Sequence, residues 1–184
     1  SDSFERPWTR LWISSSHGSL GCGHRPDSRN GFENNLEDMK KALAKERDVF
    51  FIAHSLGGIY SLHIANHMPG RVLGAVTLST PYGGAHAADI VKYFLPFSRL
   101  MKDIGPSSWA MKQAHSIKVQ HPWTNIVTMT GQSPFLNEHN DGVVTIESMR
   151  AHADMELVDV DLNHYEVVLS PQTVKIIQDR LPKQ

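Results

Sequence analysis

The segment Phe50-Phe51-Ile52-Ala53-His54-Ser55-Leu56-Gly57-Gly58 constrains this chain more than any other. An apolar run that reads as a buried strand stops at His54, and beyond Ser55 small residues open a stretch of helical periodicity. Where a strand turns directly into a helix, the corner is tight. The residues two before and two after it must be small, and here they are Ala53 and Gly57. A serine at such a corner, a nucleophile elbow, presents its hydroxyl for attack. The usual form is Gly-x-Ser-x-Gly, from which Ala53 departs by one methyl group. The same residues also describe an ordinary glycine-rich turn, so the rest of the chain must supply partners for Ser55.

The surrounding pattern alternates strands and helices. Arg10–Ser14 reads as a short strand running into a glycine- and serine-rich loop, Ser15–Gly23. Phe32, Leu36, Met39 and Leu43 mark one face of a helix over 32–44, with acidic residues toward its N-terminus. Strands follow at Val49–Ala53, Val72–Ser79, Asn125–Thr130 and Glu156–Val160. A largely buried helix runs from Ser55 to Pro69-Gly70, and a closing helix follows Pro171. Strand 72–79 is apolar nearly throughout, as in a parallel sheet covered on both faces. With neither hairpin signals nor repeats, the order argues an α/β fold: an open, mainly parallel sheet with helices on both faces. The chain reads as one domain, residues 1–184. Within it, residues 87–119 read either as two core helices or as a small helical cap whose apolar residues, Tyr93 to Trp109, meet an apolar substrate.

In open α/β sheets function gathers at the carboxyl ends of the strands. Ser55 follows the second strand, Asn137-Glu138-His139-Asn140-Asp141-Gly142-Val143-Val144 the fourth, and Asp161-Leu162-Asn163-His164-Tyr165 the fifth. A serine, an acid and a histidine thus occur in the chain order of the α/β-hydrolase triad. The chemistry asks for these types. A serine hydroxyl needs a neutral imidazole to take its proton, and a carboxylate to orient that imidazole and stabilise its cation. Asp141 is the preferred acid because Asp-Gly-Val-Val sets it at a turn before an apolar pair; Asp159 and Asp161 compete from the final strand and its end. His54, beside the serine, is expected to be structural or to edge the pocket, and His139 to be solvated.

Composition narrows the remaining classes. A formal charge of −1 gives no electrostatic reason to expect nucleic acid or an anionic membrane as partner. Cys22 is the only cysteine, so neither an internal disulfide nor a cysteine-based zinc site is expected. No apolar run approaches the roughly 18 residues of a membrane span, so stable membrane insertion is not expected. Ser1–Arg10 carries no signal-peptide core, which favours a cytoplasmic location unless a targeting segment lies upstream.

Together these motifs resemble the α/β-hydrolase superfamily, of the lipase and serine esterase kind. Ala53-His54-Ser55-Leu56-Gly57-Gly58 matches the Ala-x-Ser-x-Gly elbow of small bacterial lipases, and the interval from Asp141 to His164 is similar to theirs. Leu78-Ser79-Thr80-Pro81-Tyr82-Gly83-Gly84 resembles the Thr-Pro-His-x-Gly segment of lipases and lipase-like serine esterases, with Tyr82 in the histidine's place. The resemblance, over about residues 10 to 182, implies hydrolysis of carboxylic esters, often lipids, through an acyl-serine, with no metal or organic cofactor. Ser55, Asp141 and His164 would be the catalytic residues, with the Leu56 amide as oxyanion donor and Tyr82 near the substrate.

One departure bears on activity. In the family a strand preceding the one matched by Arg10–Ser14 delivers a loop, often His-Gly, whose backbone N–H is the second oxyanion donor. His17-Gly18 could be that loop, but the stretch to Ser55 is too short for the helix, strand and helix that normally intervene. Otherwise the chain begins one strand late, and the second donor comes from Ser15–Gly23, from upstream or from nowhere. Losing one such donor costs roughly 2.7–4 kcal/mol of transition-state stabilisation. Two further readings therefore stand beside an ester hydrolase. One is a hydrolase-fold binding protein, its activity weakened, with a partner chain on the sheet edge left open by the missing strand. The other is an acyltransferase or thioesterase.

Overall fold

Strand β2 (Val49–His54) is almost entirely buried, and its alternate residues enter different clusters. Val49, Phe51 and Ala53 join one, while Phe50 and Ile52 face the other. This two-residue period, with both faces covered, is why the run is apolar at every position. The computed structural model describes residues 30–83, 108–133, 136 and 138–183, together with the backbone of 11–14.

Five strands lie side by side in chain order among the described residues: β1 (Leu11–Ser14), β2, β3 (Val72–Leu78), β4 (Trp123–Thr128) and β5 (Glu156–Val160). From β2 to β5 every pairing is parallel. Helices α1 (Phe32–Ala42), α2 (Leu56–His67) and α3 (Trp109–Ser116) enter the first cluster, where Leu36, Ile59, Ile64 and Met111 meet Phe51 and Ala75. Helix α2 is buried from Leu56 to Ala65, as expected of a helix with no polar face. Helix α5 (Pro171–Gln178) packs Ile176 and Ile177 against the opposite cluster. A short helix, α4 (Ile146–Met149), closes a third cluster of Val127, Val143, Val144 and Met149 beyond β4. Helices α3, α4 and α5 start at Ser108, Thr145 and Ser170, whose hydroxyls each accept an amide of the first turn.

The sheet is mainly parallel, as expected, and among the described residues β1 is its one antiparallel member: it pairs with β2, Leu11 opposite Ala53 and Ser14 opposite Phe50. Apolar pattern sets a strand's burial but not its direction. Among the described residues β1 occupies the outer side of β2. Of segment 87–119, residues 87–107 lie outside the described residues, and with them the apolar run from Tyr93 to Met101. The described part, α3, sends Ala110, Met111 and Ala114 into the core, and Trp109, half exposed, stacks on His63 at 5.6 Å.

Candidate active site

At the carboxyl end of β2 the chain reverses through Ser55, which takes φ 54° and ψ −126°. A non-glycine residue in that region stores about 1–3 kcal/mol of strain, so its surroundings must over-determine it. They do so through three hydrogen bonds. The Ser55 N–H donates to Leu78 O at 2.8 Å, and Ser55 O accepts from Gly58 N–H at 3.0 Å and from Thr80 Oγ1 at 3.0 Å. A Cβ on Gly58 would lie 2.1 Å from Thr80 Oγ1, so the second glycine is required by this contact. Thr80 is itself held by fully buried Asn125, whose amide nitrogen donates to Thr80 O at 3.3 Å and Met149 O at 2.8 Å. Asn125 Oδ1 in turn accepts from Thr77 Oγ1 at 2.8 Å. Leu56 opens α2, so its N–H is one of the donors that a helix N-terminus leaves without an intrahelical acceptor.

Asp141 and His164 meet beside this corner. His164 Nδ1 lies 2.8 Å from Asp141 Oδ2, both side chains almost wholly buried, and His164 N–H donates to Asp141 O at 3.1 Å. The Asp-Gly-Val-Val turn works as its sequence suggests: Asp141 Oδ1 accepts the amides of Val143 at 3.0 Å and Val144 at 2.7 Å. Burial alone would push this carboxyl up. The facing His164 charge, with hydrogen bonds from His164, Thr128 and the Val144 amide, outweighs burial and holds it below the usual carboxylate range. His164 Nδ1–H thus donates to the carboxylate, which in the neutral imidazole leaves Nε2 as the acceptor. The neighbouring Tyr165 phenol, T-shaped against His164 at 5.7 Å, is pushed up to about 12 by burial and by the Asp141 charge.

His54 ties the two halves together. Its Nε2 donates to His164 O at 2.9 Å, which fixes its tautomer, and the two rings stand 4.6 Å apart between centroids. It is buried and holds the histidine loop against the corner. Among the described residues no hydrogen bond joins Ser55 Oγ to the His164 ring, and such bonds are often long until substrate binds. Of the competing acids, Asp159 is exposed and paired with Arg150 at 2.5 Å, and Asp161 is exposed. His139 is exposed as well.

Tyr82 requires a correction. Its ring lies in the core, its hydroxyl donating to Thr77 Oγ1 at 3.1 Å and accepting from Trp123 Nε1 at 3.0 Å. Buried there, the ring presents no surface to a substrate. His17 and Gly18 lie outside the described residues. Strand β1 ends at Ser14 beside Phe50, so the chain leaves it at the end of the sheet opposite Ser55.

Sequence pattern assigned no role to four polar residues of this region, although Ser79 and Thr80 lie within the motif at 78–84. Thr128, the last residue of β4, donates to Asp141 Oδ2, and Ser79 meets Thr128 Oγ1 at 2.8 Å. Thr80 and Asn125 brace Ser55 from the next strands. Gly131 matters by close approach, since a Cβ there would sit 2.1 Å from the Asp141 carbonyl carbon.

Comparison with solved structures decides the fold. A mature lipase from Bacillus licheniformis superposes with a TM-score of 0.59 at 18% identity, over 82% of this chain and 71% of that one. The fold is that of the α/β hydrolases. An alpha/beta superfamily hydrolase from Oenococcus oeni PSU-1 matches with a TM-score of 0.58 at 15% identity, over 85% of this chain and 75% of the other. An esterase from Pyrococcus furiosus matches with a TM-score of 0.58 at 16% identity, over 82% of this chain and 61% of its own. No family model and no curated protein sequence matches the chain. Among the described residues of this hydrolase fold, no group of three or more His, Cys, Asp or Glu is placed to hold a metal ion. No described helix is long and apolar enough to cross a membrane.

Proposed function

We propose that this protein is a serine hydrolase cleaving carboxylic esters, of the lipase or esterase type, with Ser55, His164 and Asp141 as its triad. The observation that carries the reading is the buried Asp141–His164 pair seated, through His54, against a serine held at positive φ on a nucleophile elbow. Ser55 Oγ attacks the ester carbonyl while His164 Nε2 takes its proton, and the Leu56 amide stabilises the oxyanion. The intermediate collapses to an acyl-serine as the imidazolium protonates the departing alcohol. Water, deprotonated by the same imidazole, then attacks the acyl carbon and releases the acid and Ser55. Asp141 stays ionised throughout and balances the imidazolium. The substrate is a small ester or a lipid ester, and no cofactor takes part in these steps.

Turnover of a p-nitrophenyl ester series from acetate to palmitate tests this. Wild type hydrolyses at least one chain length, and Ser55→Ala loses that activity by about 10⁴-fold or more. Absence of turnover at every chain length would sink the reading.

A second reading is favoured by one observation, the antiparallel β1 in the position flanking the elbow strand. It gives a hydrolase-fold binding protein that keeps the acid–base pair and lacks a second oxyanion donor. Such a protein acylates slowly on Ser55 with activated esters and turns over poorly. Transfer of the acyl group to an alcohol or thiol, as in acyltransferases, is distinguished by product analysis with each acceptor present.

A further inference from the structure

The Asp141 carboxylate has four hydrogen-bond donors, and two of them are not explained by the local Asp-Gly-Val-Val turn. Oδ1 takes the Val143 and Val144 amides. Oδ2 takes His164 Nδ1–H and, from the end of β4, the hydroxyl of Thr128. Thr128 Oγ1 also meets Ser79 Oγ at 2.8 Å and lies 3.4 Å from Met149 Sδ. A hydroxyl has one proton. An ionised carboxylate oxygen is the stronger acceptor, so the Thr128 proton goes to Asp141 and Ser79 donates to Thr128. The order Ser79 to Thr128 to Asp141 is therefore fixed by chemistry.

Both hydroxyls are fully buried, where each needs a partner. Ser79 adopts φ 49°, a second non-glycine residue at positive φ directly beyond a sheet strand, braced by its N–H to Ile126 O at 2.9 Å. The turn after β3 thus holds Ser79 beside the last residue of β4.

Resting on the triad proposed above, the geometry points to Thr128, backed by Ser79, as a positioning residue that fixes the rotation of the Asp141 carboxylate and with it the plane of the His164 ring. The two amides anchor only Oδ1. Without the Thr128 hydroxyl, Oδ2 is held by the imidazole alone, the very group it is meant to orient. Donation from Ser79 polarises the Thr128 hydroxyl and strengthens the bond it makes to the carboxylate.

The test compares Thr128→Val, Thr128→Ser and Ser79→Ala with wild type. One arm is turnover of the p-nitrophenyl ester on which wild type is most active. Thr128→Val lowers kcat by roughly ten- to a hundred-fold, the rate equivalent of one hydrogen bond to a charged group, and leaves KM within about twofold. Thr128→Ser restores most of the rate, and Ser79→Ala loses about two- to fivefold. The second arm needs no turnover. The low-field proton resonance of His164 Nδ1–H, assigned by its loss in His164→Gln, shifts or broadens in Thr128→Val and returns in Thr128→Ser. An unchanged resonance in folded Thr128→Val overturns the positioning role. So does a rate loss that Thr128→Ser fails to rescue, or one that falls on KM alone. If Thr128→Val does not fold, Ser79→Ala, which removes one oxygen without adding bulk, decides by the same resonance. A wild-type protein without turnover that still shows these resonance changes refutes the ester-hydrolase reading and leaves the positioning network standing.

Discussion

The two sides of Ser55 are built to different standards. On the β3–β4 side the groups that hold the acid and the corner are tied together: Asp141 takes four donors, Thr128 is fed by Ser79, and Asn125 stitches the turn at Thr80 to Met149. On the β1 side the neighbouring strand runs the other way and carries the chain from beside Ala53 toward Phe50, away from the serine. The contrast is one of function. Orienting an imidazole requires a carboxylate held in one rotation, which needs fixed donors on both oxygens. Stabilising an oxyanion requires only backbone amides, and the described part supplies that of Leu56. The proposed chemistry therefore stands on a complete acid–base half.

The largest effect comes from breaking the well-held side. Asp141→Asn lowers kcat/KM of ester turnover by about 10³–10⁴, because Asn favours the wrong imidazole tautomer. A loss below tenfold would mean that this side is scaffold rather than machinery. The same variant carries a pH signature. Asp141's carboxyl is held low in the folded state, so its stabilisation is fully present above the ordinary aspartate range and disappears as pH falls through the lower folded value. The stability gap between wild type and Asp141→Asn, measured by urea unfolding, thus narrows as pH falls below about 4. A gap that does not narrow there contradicts the assignment of charge.

A smaller effect sharpens the account of the corner itself. Gly58→Ala gains about 1 kcal/mol of helix propensity but drives a methyl group into Thr80, whose place is fixed by Asn125. The net loss is about 1–2 kcal/mol, seen as a fall in Tm of roughly 2–8 °C. Thr80→Ala in the same chain recovers part of it. Equal losses in the single and double variants would show that the contact is not what limits the site.

The smallest effect lies at the far edge of the sheet. Arg180 bridges Glu156 at 2.5 Å, and the Arg180 hydrogen bond holds that carboxyl low. The pair is largely solvated, so Glu156→Gln costs under about 1 kcal/mol and leaves ester turnover unchanged. A rate change there would show that the β5 edge communicates with the site, which the separation between the two sides denies.

What the sequence revealed follows the range of the interactions involved. The strand, corner and helix at 49–67 are written locally, in an apolar run, two small residues and a serine between them. Asp141 was readable for the same reason: its turn satisfies Oδ1 within three residues. Thr128 and Ser79 were not, because a threonine closing a strand looks like any β-branched residue until its partner 13 residues on is in place. Tyr82 was misplaced by analogy. A motif position beside the strand end says nothing about whether the ring swings toward substrate or back to Trp123. The direction of β1 was equally hidden, since four apolar-rich residues pair as readily either way.

The central claim is that Ser55 is an activated nucleophile. Incubation with a fluorophosphonate probe, followed by intact mass and peptide mapping, tests it most directly. The account predicts a single adduct on Ser55, absent from Ser55→Ala and slowed at least tenfold in His164→Ala. An unlabelled wild-type protein, or an adduct on another serine with Ser55 untouched, would contradict it.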